Sequence, residues 1–95
     1  MPYVRLSIAT PSRGQADRAN ELMRKLADAA RETKGCIASY LLKPTDGSSE
    51  VGRITIYEDE ASADAMANTQ TMLSLRSELH LVIEAGHIER AFTTV

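Results

Sequence analysis

A four-stranded antiparallel sheet with its helices on one face, an α+β fold, is predicted by three features of the sequence. Residues 3–10, "YVRLSIAT", alternate with period two and β-branched residues, as a half-buried strand does. Apolar residues then recur at three- and four-residue spacing from Ala16 to Thr33, the signature of an amphipathic helix. After it, two apolar runs flank "PTDGSSE", whose proline, Asp-Gly and serines are hairpin chemistry, and a second helical region leads to a last run, "HIERAFTTV". Two βαβ-like halves of about equal length joined by a hairpin give the split, ferredoxin-like order βαββαβ. Ninety-five residues suffice for one domain spanning 1–95, since chains divide into separate cores only at about twice this length or more.

Each element carries its own punctuation. Pro11 ends the first strand, and Ser12 followed three residues later by Gln15 has the spacing of a capping box for the first helix. Ala16, Ala19, Leu22, Met23, Leu26, Ala30 and Thr33 form the apolar face of that helix; Glu21 and Lys25 make a favourable i,i+4 pair, and Gly35 stands where a left-handed residue closes a helix. "CIASYLLK" (36–43) is apolar on both faces, which predicts a central strand. "VGRITIYE" (51–58) alternates again. Asp59 is the expected N-cap of a short alanine-rich helix, with Glu60 in its first turn. "NTQT" interrupts, with Thr69 or Thr71 as a new cap, and a further helix bearing Met72, Leu75, Leu79, Val82 and Ile83 runs on to Gly86.

Alternation divides the sheet residues into two sets. This reading turns Val4, Leu6, Ile8, Ile54 and Ile56 toward the helices and leaves Tyr3, Arg5, Ser7, Arg53, Thr55 and Tyr57 on the bare face. A partly apolar bare face implies a cover, and a domain this small buries only roughly 60–65% of its unfolded surface, so a twofold homodimer is expected. A net charge of −2 gives no field for holding phosphates or anionic lipid, and the absence of tryptophan disfavours a base-stacking platform, so neither nucleic acid nor membrane is an expected partner. The single Cys36 excludes an internal disulfide, and the N-terminal run reaches Pro11 too soon for a secretory h-region; both suit a reducing cytoplasm.

The strands "GCIASYLLKP", "EVGRITIYEDEASADAM" and "GHIERAF", in this order of elements, resemble the antibiotic biosynthesis monooxygenase superfamily of dimeric α+β barrels over nearly the whole chain. The resemblance implies a homodimer and a small-molecule substrate of aromatic or polyketide-like type. The activity it implies is cofactor-independent monooxygenation, in which the substrate's own carbanion reduces dioxygen. A non-catalytic ligand-binding or stress-associated dimer and a small-molecule isomerase are the alternatives on the same scaffold. Tyr57 stands where many members carry tryptophan. Haem-degrading relatives use an asparagine on the first strand, where this chain has Ser7, and a histidine in the region of "ADAMANTQTM", which has none. Haem is therefore disfavoured and no cofactor is expected.

Within that frame Tyr57 is the candidate hydrogen-bond donor or proton carrier to a phenol oxygen, against a plain role as a strand-end aromatic. Asn68 is a candidate for orienting a carbonyl or a dioxygen-derived anion, against a polar turn before a restarted helix. His87 is a candidate because it opens the last strand at a chain reversal, whereas His80 reads as a cation complementing a helix C-terminus. Ser7, Met66 and Met72 are the expected substrate contacts, with the methionines equally readable as core filler. The histidines have no carboxylate or cysteine at ligand spacing, so no metal centre is expected. Cys36 reads as a small buried hydrophobe. Arg5 and Arg53 share a face and either hold an anionic ligand, bridge to Glu89, or meet the partner chain, the last being the favoured role.

Overall fold

Pairing of the two alternating stretches sets Tyr3 opposite Tyr57, Arg5 opposite Thr55, Ser7 opposite Arg53 and Ala9 opposite Val51. The computed structural model, which describes residues 1–95, forms them into β1 (Tyr3–Ala9) and β3 (Val51–Tyr57). Between these lie α1 (Ala16–Arg31) and β2 (Cys36–Leu42), and after them α2 (Glu60–Ala67), α3 (Gln70–His80) and β4 (Ile88–Thr93). The sheet order is β2-β3-β1-β4, with every neighbouring pair antiparallel. This is the ferredoxin-like α+β arrangement expected. β1 and β2 run parallel with β3 between them, and β3 and β4 run parallel with β1 between them, so each half is a split βαβ unit.

The apolar face of α1 is the centre of the core. Ala19, Leu22, Met23, Leu26 and Ala30 are all at most 1% exposed, as their spacing predicts. Fully burying each of the three large ones stabilises by roughly 1.5–3 kcal/mol. They pack with Met72 and Leu79 of α3, Ile83 beyond it, and Ala9, Val51 and Tyr57 of the sheet.

Three expectations are corrected. First, the sheet faces are reversed: Ala9, Val51, Arg53, Thr55 and Tyr57 are buried beneath the helices, while Val4, Leu6, Ile8, Ile54 and Ile56 are half-buried on the other face. Period two defines two faces but does not say which one the crossovers cover. The helix-facing set also tolerates polar residues because part of it walls a cavity rather than packing solidly. Second, β2 lies at an edge of the sheet, not its centre. Its apolar pattern comes from facing the core with Leu41 and the open face with Tyr40 and Leu42, while a bulge between Cys36 and Ala38 turns Ile37 outward to 55% exposure. Third, no capping box forms at α1: Gln15 holds the N-cap position with no side-chain cap bond, and the Gln15 N–H instead bonds the Ser12 carbonyl at 2.9 Å across a turn containing Gly14.

The N-caps of α2 and α3 form as read, but the expected C-terminal glycines do not cap: α1 closes at Glu32 and α3 at Leu81, short of Gly35 and Gly86. Asp59 Oδ1 accepts from the Ser62 N–H at 2.8 Å, and Thr69 Oγ1 from the Met72 N–H at 3.3 Å. Lys25 and Glu21 pair at 3.2 Å. α3 ends at His80, six residues before Gly86, and the intervening chain forms a bridge between Ile83 and Pro11.

Candidate functional site

The polar residues on the helix-facing side of the sheet have a structural reason to be there. Beyond the packed end of α1, the corner between α2 and α3 stands off the strands and leaves a cavity of about 310 Å³. That is the small end of the range for ligand pockets, which run about 300–1,000 Å³. Tyr3, Arg5, Ser7, Arg53 and Tyr57 form its sheet wall together with Glu89 of β4; Met66, Ala67, Met72 and Arg76 form its helix wall. The Asp59 and Thr69 caps fix where α2 and α3 begin, and so where Met66 and Met72 project. A second groove, beside the β2–β3 loop, is larger at about 870 Å³, but Asn20, Arg24, Lys43, Ser48 and Glu50 along it are all exposed and it contains no buried polar group.

Tyr57 is fully buried and its hydroxyl has no hydrogen-bond partner. Burial raises its pKa above the ordinary tyrosine value of 10.0, so the phenol is held protonated. An unpaired buried O–H is rare in folded proteins. Here the residue that carries it lines the cavity.

Arg53 is 9% exposed. Its Nη1 donates to Thr55 Oγ1 at 3.2 Å, and Thr55 in turn shares a 2.8 Å hydrogen bond with Ser39, both hydroxyls being buried. Its Nε has no partner. Burial lowers its pKa, although a guanidinium remains charged throughout the accessible pH range. Arg5 donates to Asp64 of α2 at 2.7 Å, tying sheet to helix, and Arg76 lies 3.7 Å from Glu89.

The structure brings together four of the six candidate residues. Tyr57, Ser7, Met66 and Met72 line one cavity; Met66 and Met72 are also buried at 4% and 1%, so core packing and cavity lining coincide in them. Asn68 is exposed at the C-cap of α2, and its amide donates to the Asp64 carbonyl at 2.9 Å. His87 lies outside that cavity, on a crevice of about 10 Å³ beside Arg53 and Glu89 and on a separate hollow of about 100 Å³. Its ring centroid is 5.0 Å from that of His80 and its Nε2 is 4.0 Å from Glu89. No group of three or more histidine, cysteine or carboxylate side chains converges in the chain. Cys36 is half-buried, with its thiol pKa raised by burial.

Arg5 and Arg53 face the cavity, not the open sheet face on which an interface role would place them. Sequence reading missed Arg76 as a cavity residue. Its position one turn beyond Met72, at i+4, carried the signal, but only once Met72 was known to face a space rather than a solid core.

The fold is that of several solved structures of low sequence identity. Rv0793 from Mycobacterium tuberculosis superposes with a TM-score of 0.91 at 15% identity, over 100% of this chain and 96% of that one. PA3566 from Pseudomonas aeruginosa gives 0.86 at 18% identity, covering 99% and 94%. SnoaB from Streptomyces nogalater, a cofactor-independent oxygenase, gives 0.85 at 14% identity, covering 99% and 93%. A comparison with curated protein sequences finds no match. At such identities the structural likeness speaks for the fold alone. Family membership rests on the sequence: residues 3–77, from β1 through most of α3, match the antibiotic biosynthesis monooxygenase family, and the chain belongs to it.

Proposed function

We propose that the chain is a cofactor-independent monooxygenase acting on a small, electron-rich aromatic bound in the cavity between sheet and helices, with Tyr57 as the hydrogen-bond donor to the reacting oxygen. The observation that carries this reading is the buried, unpartnered hydroxyl of Tyr57, a residue that lines the cavity. Family membership and the fold shared with a cofactor-independent oxygenase support it.

The proposed chemistry balances without a cofactor. A phenol with a free para C–H loses its proton; the resulting anion passes an electron to dioxygen and combines with it at the para carbon. The peroxide anion takes back the proton the phenol lost; the hydroperoxide then loses water as the para C–H and O–O bonds break, so one oxygen atom becomes the quinone carbonyl and the other leaves as water. The protein's share is positional and electrostatic. A protonated Tyr57 stabilises charge on the phenol oxygen, Met66 and Met72 hold the ring in apolar surroundings, and Glu89, the only carboxylate in the cavity wall, is the proposed acceptor of the phenol proton once it parts from Arg76.

Partners and location complete the proposal. The open sheet face exposes Tyr40, Leu42, Ile88 and Phe92 beside half-buried Val4, Leu6, Ile54 and Ile56, a contiguous apolar surface of the kind that a second copy covers. The chain is proposed to work as a homodimer in the cytoplasm, where the free Cys36 stays reduced. No helix is long and apolar enough to cross a membrane.

The test is dioxygen uptake with α-naphthol and larger polycyclic phenols that have a free para C–H, followed by appearance of the para-quinone. Uptake that is saturable and falls ten- to hundredfold in Tyr57→Phe is expected. No uptake across the series removes the oxygenase reading. A second reading, a binding protein without chemistry, is favoured by one observation: no histidine lines the cavity, and its single carboxylate is already engaged by Arg76.

A further inference from the structure

We propose that the ligand of this cavity is a monoanion bearing a carboxylate, and that Arg53 is the residue that recognises it. The proposal deepens the substrate-site reading of the cavity and rests on it. Four arginines line the cavity, Arg5, Arg53, Arg76 and Arg90, against one carboxylate, Glu89. Arg90 pairs with Leu6 on the open-face side and its guanidinium lies over the Phe92 ring, which leaves the other three on the helix-facing side. Two of the three have acidic partners: Arg5 holds Asp64 at 2.7 Å, and Arg76 lies 3.7 Å from Glu89. Arg53, the most buried of them, has none. Its one protein hydrogen bond goes from Nη1 to the neutral Thr55 hydroxyl, and its Nε–H is unpaired. A buried cation persists in a fold when something compensates it, and the protein supplies no counter-charge within ion-pair distance of this one.

The geometry of what is left free selects the anion. With Nη1 occupied by Thr55, the Nε–Nη2 edge of Arg53 remains, two parallel N–H donors that fit the two oxygens of a carboxylate side-on. A phosphate or sulfate fits less well, because its extra charge and oxygens call for further donors. Here the guanidinium groups of Arg5 and Arg76 are already paired with Asp64 and Glu89. One free guanidinium matches one negative charge. The rest of the cavity is apolar on its helix side at Met66, Ala67 and Met72, and Tyr57 stands on the same face of β3 as Arg53. An aromatic acid with a second hydrogen-bonding oxygen fills each of these requirements.

The proposal is tested on the full chain by anaerobic titration calorimetry with two probes that differ only in the charge: α-naphthol, and α-naphthol carrying a carboxylate ortho to its hydroxyl. The acid is expected to bind at least tenfold more tightly to the unaltered protein. That preference falls to within twofold in Arg53→Met and is partly restored in Arg53→Lys, circular dichroism establishing that each variant is folded. If Arg53→Met does not fold, the side-chain Nε–H resonance of Arg53 in the unaltered protein reports instead, shifting on addition of the acid but not of the neutral phenol. Equal affinities, no binding of the acid, an unmoved Nε–H signal, or a preference that survives in folded Arg53→Met each overturns the assignment. Dioxygen uptake from α-naphthol with no preference for the acid removes this inference and leaves the oxygenase reading standing. Tight binding of the acid without uptake does the reverse.

Discussion

Arg53 and Tyr57 lie four residues apart on the same face of β3, and each buries a polar atom with no protein partner, the Arg53 Nε and the Tyr57 hydroxyl. Folding alone does not reward either arrangement, since a desolvated donor left unpaired costs about 1–3 kcal/mol. Both residues line one cavity, so the cost falls beside a space that a ligand can enter.

Removing the Tyr57 hydroxyl therefore separates stability from function. Tyr57→Phe keeps the ring that packs in the core and deletes only the unpaired O–H. It is expected to raise stability by about 1 kcal/mol, a gain of roughly 4–8 °C in Tm for a chain of this size, while lowering dioxygen uptake ten- to hundredfold. Urea denaturation of the free protein and oxygen-electrode rates measure the two effects. A loss of stability equal to that of an ordinary buried tyrosine mutation would mean that the hydroxyl is satisfied after all.

The same hydroxyl gives a pH dependence of known sign. Burial raises the folded pKa above 10.0, so the unfolded chain ionises first. Between the unfolded and folded values the unfolded state binds fewer protons, and stability falls as pH rises. The contribution is fully present below about pH 10 and is lost as pH climbs through the folded value. Tyr57→Phe lacks that loss. The stability advantage of Tyr57→Phe should widen from pH 9 to pH 11 in denaturation curves, and a constant difference would show that Tyr57 is not desolvated.

These residues also mark where sequence stopped being informative. The centre of the buried face of α1 was legible, because a helical period of 3.6 permits only one apolar stripe and Ala19, Leu22, Met23, Leu26 and Ala30 occupy it. Its ends were not, since Ala16 is exposed, Thr33 lies beyond the helix and the buried Ala27 was missed. The Asp59 and Thr69 caps were legible because their chemistry is local. A strand's period of two is symmetric. Val4, Leu6 and Ile8 look more core-like than Tyr3, Arg5 and Ser7, yet the second set faces the helices. Choosing the face needs the three-dimensional crossover, and recognising Arg76 as a wall residue needs the cavity. Tyr57 and the methionines were found as candidates because they are unusual or apolar at definite positions; the unpaired state of Arg53 is a property of its surroundings and has no sequence signal.

The reversed sheet face sharpens the dimer proposal into a specific prediction. Tyr40 and Phe92 are 56% and 46% exposed, on β2 and β4 at opposite edges of the open face. If a second copy covers that face, a carboxylate placed there is desolvated against apolar surface and the pair separates. Light scattering of the unaltered protein should give twice the 10.4 kDa chain mass. Tyr40→Asp combined with Phe92→Asp should give the monomer mass with helix content retained. A monomeric unaltered protein, or a double variant that stays dimeric, would place the interface elsewhere.

The junction of α1 and β2 predicts a packing defect that reaches the cavity. Gly35 has φ +88°, and a Cβ built on it would lie 2.3 Å from Ser62 Oγ and 2.6 Å from Ser62 Cβ, so α2 rests directly on the glycine. Its carbonyl also accepts the Glu58 N–H at 2.8 Å, at the chain's exit from β3. Gly35→Ala adds both left-handed strain and a clash with the second residue beyond the start of α2, for a loss of about 2–3 kcal/mol. Ser62→Gly removes the clashing side chain at a helix-propensity cost of about 0.5–1 kcal/mol. The two changes should be strongly non-additive: in the double variant the steric part of the Gly35→Ala loss disappears and about 1 kcal/mol of backbone strain remains. Because α2 carries Met66 into the cavity wall, Gly35→Ala alone should also weaken binding of the naphthol probes, and Ser62→Gly should restore it. Denaturation midpoints for the four proteins of this cycle, with a binding titration on each, decide the matter; additive losses would show that α2 does not take its position from Gly35.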